Sequence, residues 1–200
     1  MKKNILLLLS AVLVAAVSSA QVCEGLNLIT LQVGDNALWD PDHSTPHMRL
    51  AYEHELVTDA FDIESLCIGA GASFGYRYMK RSLAYNSFFH TYSDLTWSLR
   101  GTAHYDVLGQ FFGLHSDHID TYATVSLGME HYYHNLISVA TGKKVTDIEG
   151  ELVIPSQWGR RLLPGLILGC RYWFTPNFGA IGEIGCDGFS FFNAGISACF

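Results

Sequence analysis

Apolar and polar residues alternate by twos along most of this chain. In residues 66–78, Leu66, Ile68, Ala70, Ala72, Phe74, Tyr76 and Tyr78 share one parity, and Cys67, Gly69, Gly71, Ser73, Gly75 and Arg77 share the other. Residues 95–105 set Leu95, Trp97, Leu99, Gly101, Ala103 and Tyr105 against Thr96, Ser98, Arg100, Thr102 and His104. Further along, Met48, Leu50 and Tyr52 oppose Arg49, Glu53 and Glu55, and Ala123, Val125, Leu127 and Met129 oppose Thr124, Ser126, Gly128 and Glu130. Leu166, Leu168, Cys170, Tyr172 and Phe174 oppose Gly169, Arg171 and Trp173, and Glu183 lies opposite in parity to Ala180 and Ile184. The chain closes with Phe192, Ala194, Ile196, Ala198 and Phe200 against Asn193, Gly195, Ser197 and Cys199. A period of two is the signature of a strand with unlike faces. Eight such segments stand out, at residues 26–34, 47–56, 65–78, 94–106, 119–133, 165–174, 178–187 and 189–200, the first being the least regular. Helical periodicity appears nowhere at length.

Alternation alone does not say which parity faces inward. Three features decide it. Beyond the first residues the chain has only Lys80, Lys143 and Lys144, all expected beyond or between strands. A polar sheet face without lysine reads as a lumen rather than a water-facing wall. That face is also rich in Gly and Ser with scattered Arg and Glu, as a narrow interior requires. Finally, Tyr76, Tyr78, Trp97, Tyr105, Tyr133, Tyr172, Phe174, Phe192 and Phe200 gather near strand ends on the apolar face, in the manner of an interfacial aromatic girdle. The expected fold is therefore all-β, an eight-stranded antiparallel up-and-down transmembrane β-barrel. A soluble lipocalin-like binder, with the apolar parity inside, is the competing arrangement.

The first twenty residues change the picture of where such a barrel would sit. Lys2 and Lys3, an apolar run to about Val17 and the small Ser18-Ser19-Ala20 read as a secretory signal peptide cut before Gln21, leaving 21–200 as the barrel domain. Removing two lysines from the 12 basic residues leaves ten against 19 acidic ones, a formal charge of −9. That balance argues against nucleic acid as a partner. With the N-terminus in the periplasm, the outward loops fall at 35–46, 79–93, 134–164 and Asp187-Gly188, and the inward turns at 57–64, 107–118 and 175–177. The five cysteines include no C-x-x-C pair, so no zinc site is expected. Cys23 and Cys199 open the first strand and close the last, which would let them meet in a closed barrel; two buried thiols with no bond is the other reading.

The segments MRLAYEHEL, CIGAGASFGYRY, ILGCRYWFTPNFGAIGEIG and the terminal FFNAGISACF resemble the small outer-membrane β-barrel family of Bacteroidota, related in architecture to OmpX/OmpA-type barrels. The resemblance covers most of the chain after the leader. It implies a location in the cell outer membrane, contact with outer-membrane lipid and lipopolysaccharide, and a C-terminal Phe200 that serves as the assembly signal read by the barrel-insertion machinery. It implies no cofactor.

Candidate chemistry concentrates in the lumen. Arg49, Glu53, Glu55, Arg77, Arg100, His104, Glu130, Arg171 and Glu183 all fall on the polar parity. Arg171 and Glu183 flank the TPN turn at nearly equal distances and are expected side by side on adjacent strands. Buried charges persist when paired and hydrogen-bonded, so these residues form a charge network that fills the barrel. A gated path through them, a narrow porin-like channel for ions or small solutes, is the alternative. Enzymatic activity is not expected. Lipid A deacylases of this shape carry His-x-Ser before an Asn-Ala-Gly-like stretch, whereas Ser190 and Phe192 occupy those places before Asn193-Ala194-Gly195. In the first outer loop, Asp35, Asp40, Asp42, His43 and His47 could meet a divalent cation, or simply form a solvated loop.

Overall fold

The computed structural model describes residues 25–34, 43–82, 88–113, 116, 118–145, 157–187 and 190–200. Eight strands form the wall: β1 Asn27–Gly34, β2 His47–Val57, β3 Cys67–Ser82, β4 Phe88–His104, β5 Ile119–Ser138, β6 Gln157–Thr175, β7 Phe178–Cys186 and β8 Phe192–Cys199. Each pairs antiparallel with its neighbours in sequence. The ring closes where β8 lies against β1, with Ile29 opposite Ala198 and Val33 opposite Ala194. Phe200 extends that seam by one residue: Asn27 N–H donates to its carbonyl and its own N–H donates to the Asn27 carbonyl, both at 3.0 Å. The fold is the up-and-down transmembrane barrel that the alternation predicts. Residues 1–24, which include the expected leader and Cys23, lie outside the described residues.

The polarity is that of a membrane barrel. Leu99, Val125 and Leu166 on the outer face are 65%, 62% and 60% exposed, whereas Arg171 and Glu130 are each 1% exposed. A soluble barrel would bury the first set and expose the second. On β2 the apolar face runs from Met48 to Leu56, and on β6 from Leu162 to Phe174. At ~3.3 Å per residue and ~45° of tilt, such runs match the height of a bilayer's hydrocarbon layer.

Four strands exceed their expected lengths. β3, β4, β5 and β6 extend to Ser82, back to Phe88, to Ser138 and back to Gln157. The second and third outer loops, expected at 79–93 and 134–164, are therefore much shorter. Phe88 pairs with Ser138, and His134 with Gln157, so the ladder continues well above the apolar belt. The sequence signal fades there because His134 and Asn135 on β5, and Arg160 and Arg161 on β6, put polar groups on both parities. Outside lipid, neither face of a strand needs to be apolar. Lys80 belongs to this extension, its ammonium 4.0 Å from the Phe89 ring centroid. A two-residue strand, His43–Ser44, pairs with the same end of β3.

At the opposite end, which carries the termini and the turns, the 107–118 connection is partly helical. Asp106 caps the helix Val107–Phe112 by accepting the Gly109 N–H at 2.8 Å, and Gly113 ends it with φ 65°. Phe61 in the β2–β3 turn and Phe111 in this helix are 86% and 73% exposed.

Candidate functional site

The lumen is assembled from the polar parity of every strand. All nine charged residues singled out from the sequence point into it, and each is buried. They are packed in tiers.

Nearest the turn end, Leu28, Trp173 and Cys199 form an apolar plug. The Cys199 thiol donates to the Pro176 carbonyl at 3.0 Å, and Cys170, Cys186 and Cys199 are thiols outside any disulfide. A Cys23–Cys199 disulfide would involve a residue outside the described ones.

Above the plug sits a cluster of Glu53, Glu55, His104, Asp120 and Arg171. His104 Nε2 lies 3.0 Å from Glu53 Oε1 and 3.1 Å from Glu55 Oε1, and its Nδ1 lies 2.8 Å from Asp120 Oδ1. Arg171 Nη1 donates to Asp120 Oδ2 at 2.6 Å. The glutamates come from β2 and His104 from β4, with β3 between them. They can meet because β3 presents Gly69 opposite Glu55 and Gly71 opposite Glu53. A Cβ at Gly69 would stand 2.8 Å from Glu53 Oε1 and 3.1 Å from both Glu55 oxygens.

The middle tier centres on Glu183. Its carboxylate accepts from Arg49 Nη1 at 3.1 Å, from Arg100 Nη2 at 3.1 Å and from the Tyr122 hydroxyl at 2.8 Å. Arg49 also pairs with Asp187. The expected neighbourhood of Arg171 and Glu183 is corrected here. The β6–β7 ladder is centred on Pro176, five residues after Arg171 but seven before Glu183, so Arg171 faces Ile181 and Glu183 faces Gly169. Diagonal neighbours two residues apart are ~7–8 Å away, and each charge finds a nearer partner on another strand.

Higher still, Arg77 donates from Nε and Nη2 to Asp94 Oδ2 at 3.0 and 2.7 Å, and Arg161 pairs with Glu130. His47, at the expected start of the second strand and also among the first loop's candidate donors, is the first residue of β2 and is buried in the lumen, 3.4 Å from Ser190 Oγ; residues 35–42 of that loop lie outside the described ones. A cavity of about 20 Å³ lies between His47, Arg49, Ser98, Ser126 and Asp187. That is room for a single water. In the extension above the belt, the rings of His90, His134 and Tyr92 stack, with centroids 4.6 and 4.5 Å apart.

Asp94, Asp120, Tyr122, Arg161 and Asp187 are network members beyond the nine expected from the sequence. Asp94 shares its parity with Ser98 and Arg100, and Asp120 with Thr124 and Glu130. Extending each alternation to its strand end would have placed both in the lumen.

No protein-family model matches the sequence, and no curated protein does. Solved structures are similar in fold. Ail, the attachment invasion locus protein of Yersinia pestis, in a complex with the heparin analogue sucrose octasulfate, superposes with a TM-score of 0.50 at 12% identity, over 89% of this chain and 100% of Ail. The N-terminal β-barrel domain of Pseudomonas aeruginosa OprF gives a TM-score of 0.47 at 13% identity, over 88% of this chain and 98% of that domain. At such identity the likeness is one of fold.

Proposed function

We propose that this protein is an integral outer-membrane barrel of structural and surface-interaction type, with no enzymatic activity and a closed lumen. The observation that carries this reading is the tiered filling of the interior. Ions crossing from either side would have to pass the Trp173 plug and displace paired charges in three successive tiers. Eight strands enclose an interior just wide enough for its own side chains.

The surface role rests on the tall wall of β3–β6. Above the lipid belt, the edge of β6 from Gln157 to Arg161 pairs only with β5 among the described residues. Trp158 stands out from it at 70% exposure. Arg160 and Arg161 blunt it against indiscriminate strand pairing. The chemistry suits lipopolysaccharide, whose phosphates arginines hold well. The Phe200 seam is where the insertion machinery would engage the closing strand. With the termini in the periplasm, the tall wall faces the exterior.

Planar-bilayer recording tests the closed lumen. The purified barrel should give no resolved steps. Regular unitary steps that change in Glu183→Ala would favour the narrow channel instead.

A further inference from the structure

The charge balance of the lumen points to something missing from the protein alone. In the upper tiers, among the described residues, Asp94, Glu130, Glu183 and Asp187 are matched by Arg49, Arg77, Arg100 and Arg161. The lowest tier is different. Three carboxylates, Glu53, Glu55 and Asp120, face one guanidinium and one imidazole. Even with His104 fully protonated, one negative charge is left over in a dry site. A buried uncompensated charge is costly.

The hydrogen bonding is unbalanced in the same place. A His104 Nε2–H can be aimed at one acceptor, and Glu53 Oε1 takes that position. Among the described residues, both oxygens of Glu55, a residue 1% exposed, have no hydrogen-bond partner. Meanwhile Asp120 accepts from Nδ1 and is itself held by Arg171. A carboxylate on Nδ1 fixes the tautomer whose Nε2 carries a lone pair. That lone pair would then point directly at two carboxylates.

We propose that Glu53, Glu55 and His104 Nε2 hold a divalent transition-metal ion of the zinc class, with Asp120 and Arg171 orienting the imidazole from behind. Nε2 already lies 3.0 and 3.1 Å from the two glutamate oxygens. Tetrahedral ligands at ~2.0–2.1 Å from zinc are themselves about 3.3 Å apart, so the donors need move little to enclose the ion. One imidazole and two carboxylates are a donor set such ions accept, and a fourth position remains for water. With the imidazole neutral and a divalent ion bound, the tier's formal charge becomes zero. Gly69 completes the cradle, since a Cβ there would occupy space beside all three glutamate oxygens that line it. The ion would tie β2 to β4 across the small residues of β3, just above the plug.

The test uses the full folded barrel in detergent, stripped with chelator and titrated with Zn²⁺ or Co²⁺. The expected result is one ion per chain, with a visible d–d band for Co²⁺ that Zn²⁺ abolishes. Glu55→Gln and His104→Gln should weaken uptake at least 100-fold, and Asp120→Asn by 10–100-fold. The double variant Asp40→Asn, His43→Gln in the first outer loop should leave it unchanged. Failure of the folded wild type to take up stoichiometric metal overturns the proposal. So does uptake that survives Glu55→Gln and His104→Gln but is lost in the loop variant. If the lumen variants do not fold, ring-labelled histidine NMR of the wild type decides. Zn²⁺ must shift the His104 resonances, and a shift confined to other histidines refutes the site.

Discussion

Replacing Glu183 by glutamine keeps the shape of the side chain and removes its charge. The residue is buried and accepts three hydrogen bonds, from Arg49, Arg100 and Tyr122. Arg49 keeps Asp187 as a partner. Arg100 does not fare so well: its guanidinium has no other carboxylate within ion-pair range among the described residues, and its Nε already lacks an acceptor. The substitution therefore strands one buried positive charge. Breaking a buried pair on one side costs about 3–5 kcal/mol, which is a factor of roughly 10²–10⁴ in the folding equilibrium. Removing both members leaves no stranded charge, so Glu183→Gln with Arg100→Gln should be less destabilised than the two singles summed, by about 1–3 kcal/mol. Urea unfolding of the barrel in lipid vesicles, followed by tryptophan fluorescence and by gel mobility with and without heating, measures all four corners of the cycle. A Glu183→Gln cost below about 1 kcal/mol, or strict additivity in the double variant, would refute the view that Glu183 is the centre of the lumen network.

Other outcomes follow from the same structure. Trp173→Ala should lower stability by about 3–5 kcal/mol by emptying the turn-end plug, yet leave bilayer conductance closed because the charged tiers above it persist; open steps in that variant would show that the plug alone seals the lumen. Gly169 lies under the ring of Tyr122 from β5, so Gly169→Ala should push that ring off Glu183 and cost about 1–3 kcal/mol, while an unchanged urea midpoint would contradict the packing. Deleting Phe200 removes both backbone bonds to Asn27 at the closing seam and should slow insertion into membranes carrying the assembly machinery, measured by the appearance of the heat-modifiable band; normal kinetics would dismiss its role.

Much of this barrel was legible because lipid and lumen are such different solvents. Wherever both were present, as along 66–78 or 192–200, parity alone assigned every side chain to its side. Legibility ended where that contrast ended. Above the belt, neighbouring residues such as His134 and Asn135, or Arg160 and Arg161, are polar on both parities, so 134–138 of β5 and 157–164 of β6 looked like loop. The helix at 107–112 was hidden for another reason: it is six residues long, set by the Asp106 cap and Gly113, too short for periodicity to register. Lumen membership followed from parity, but pairing did not. Arg171 turned to Asp120 because Asp120 stands directly opposite it on β5, whereas Glu183, two residues further from the turn than Arg171, is only a diagonal neighbour. The meeting of Glu53, Glu55 and His104 depends on two glycines in a third strand, a relation that only the closed ring brings about.

The uneven rim has a mechanical consequence. β4 is paired with β5 along its entire length from Phe88 to His104, whereas β7 and β8 meet only between Phe178 and Ile184 on the β7 side. A tug along the barrel axis on the tall wall loads long ladders in shear, so that many hydrogen bonds must fail together. The same tug on the low rim is borne by a short seam with few bonds to share it. An axial load is therefore held firmly by one flank and weakly by the other.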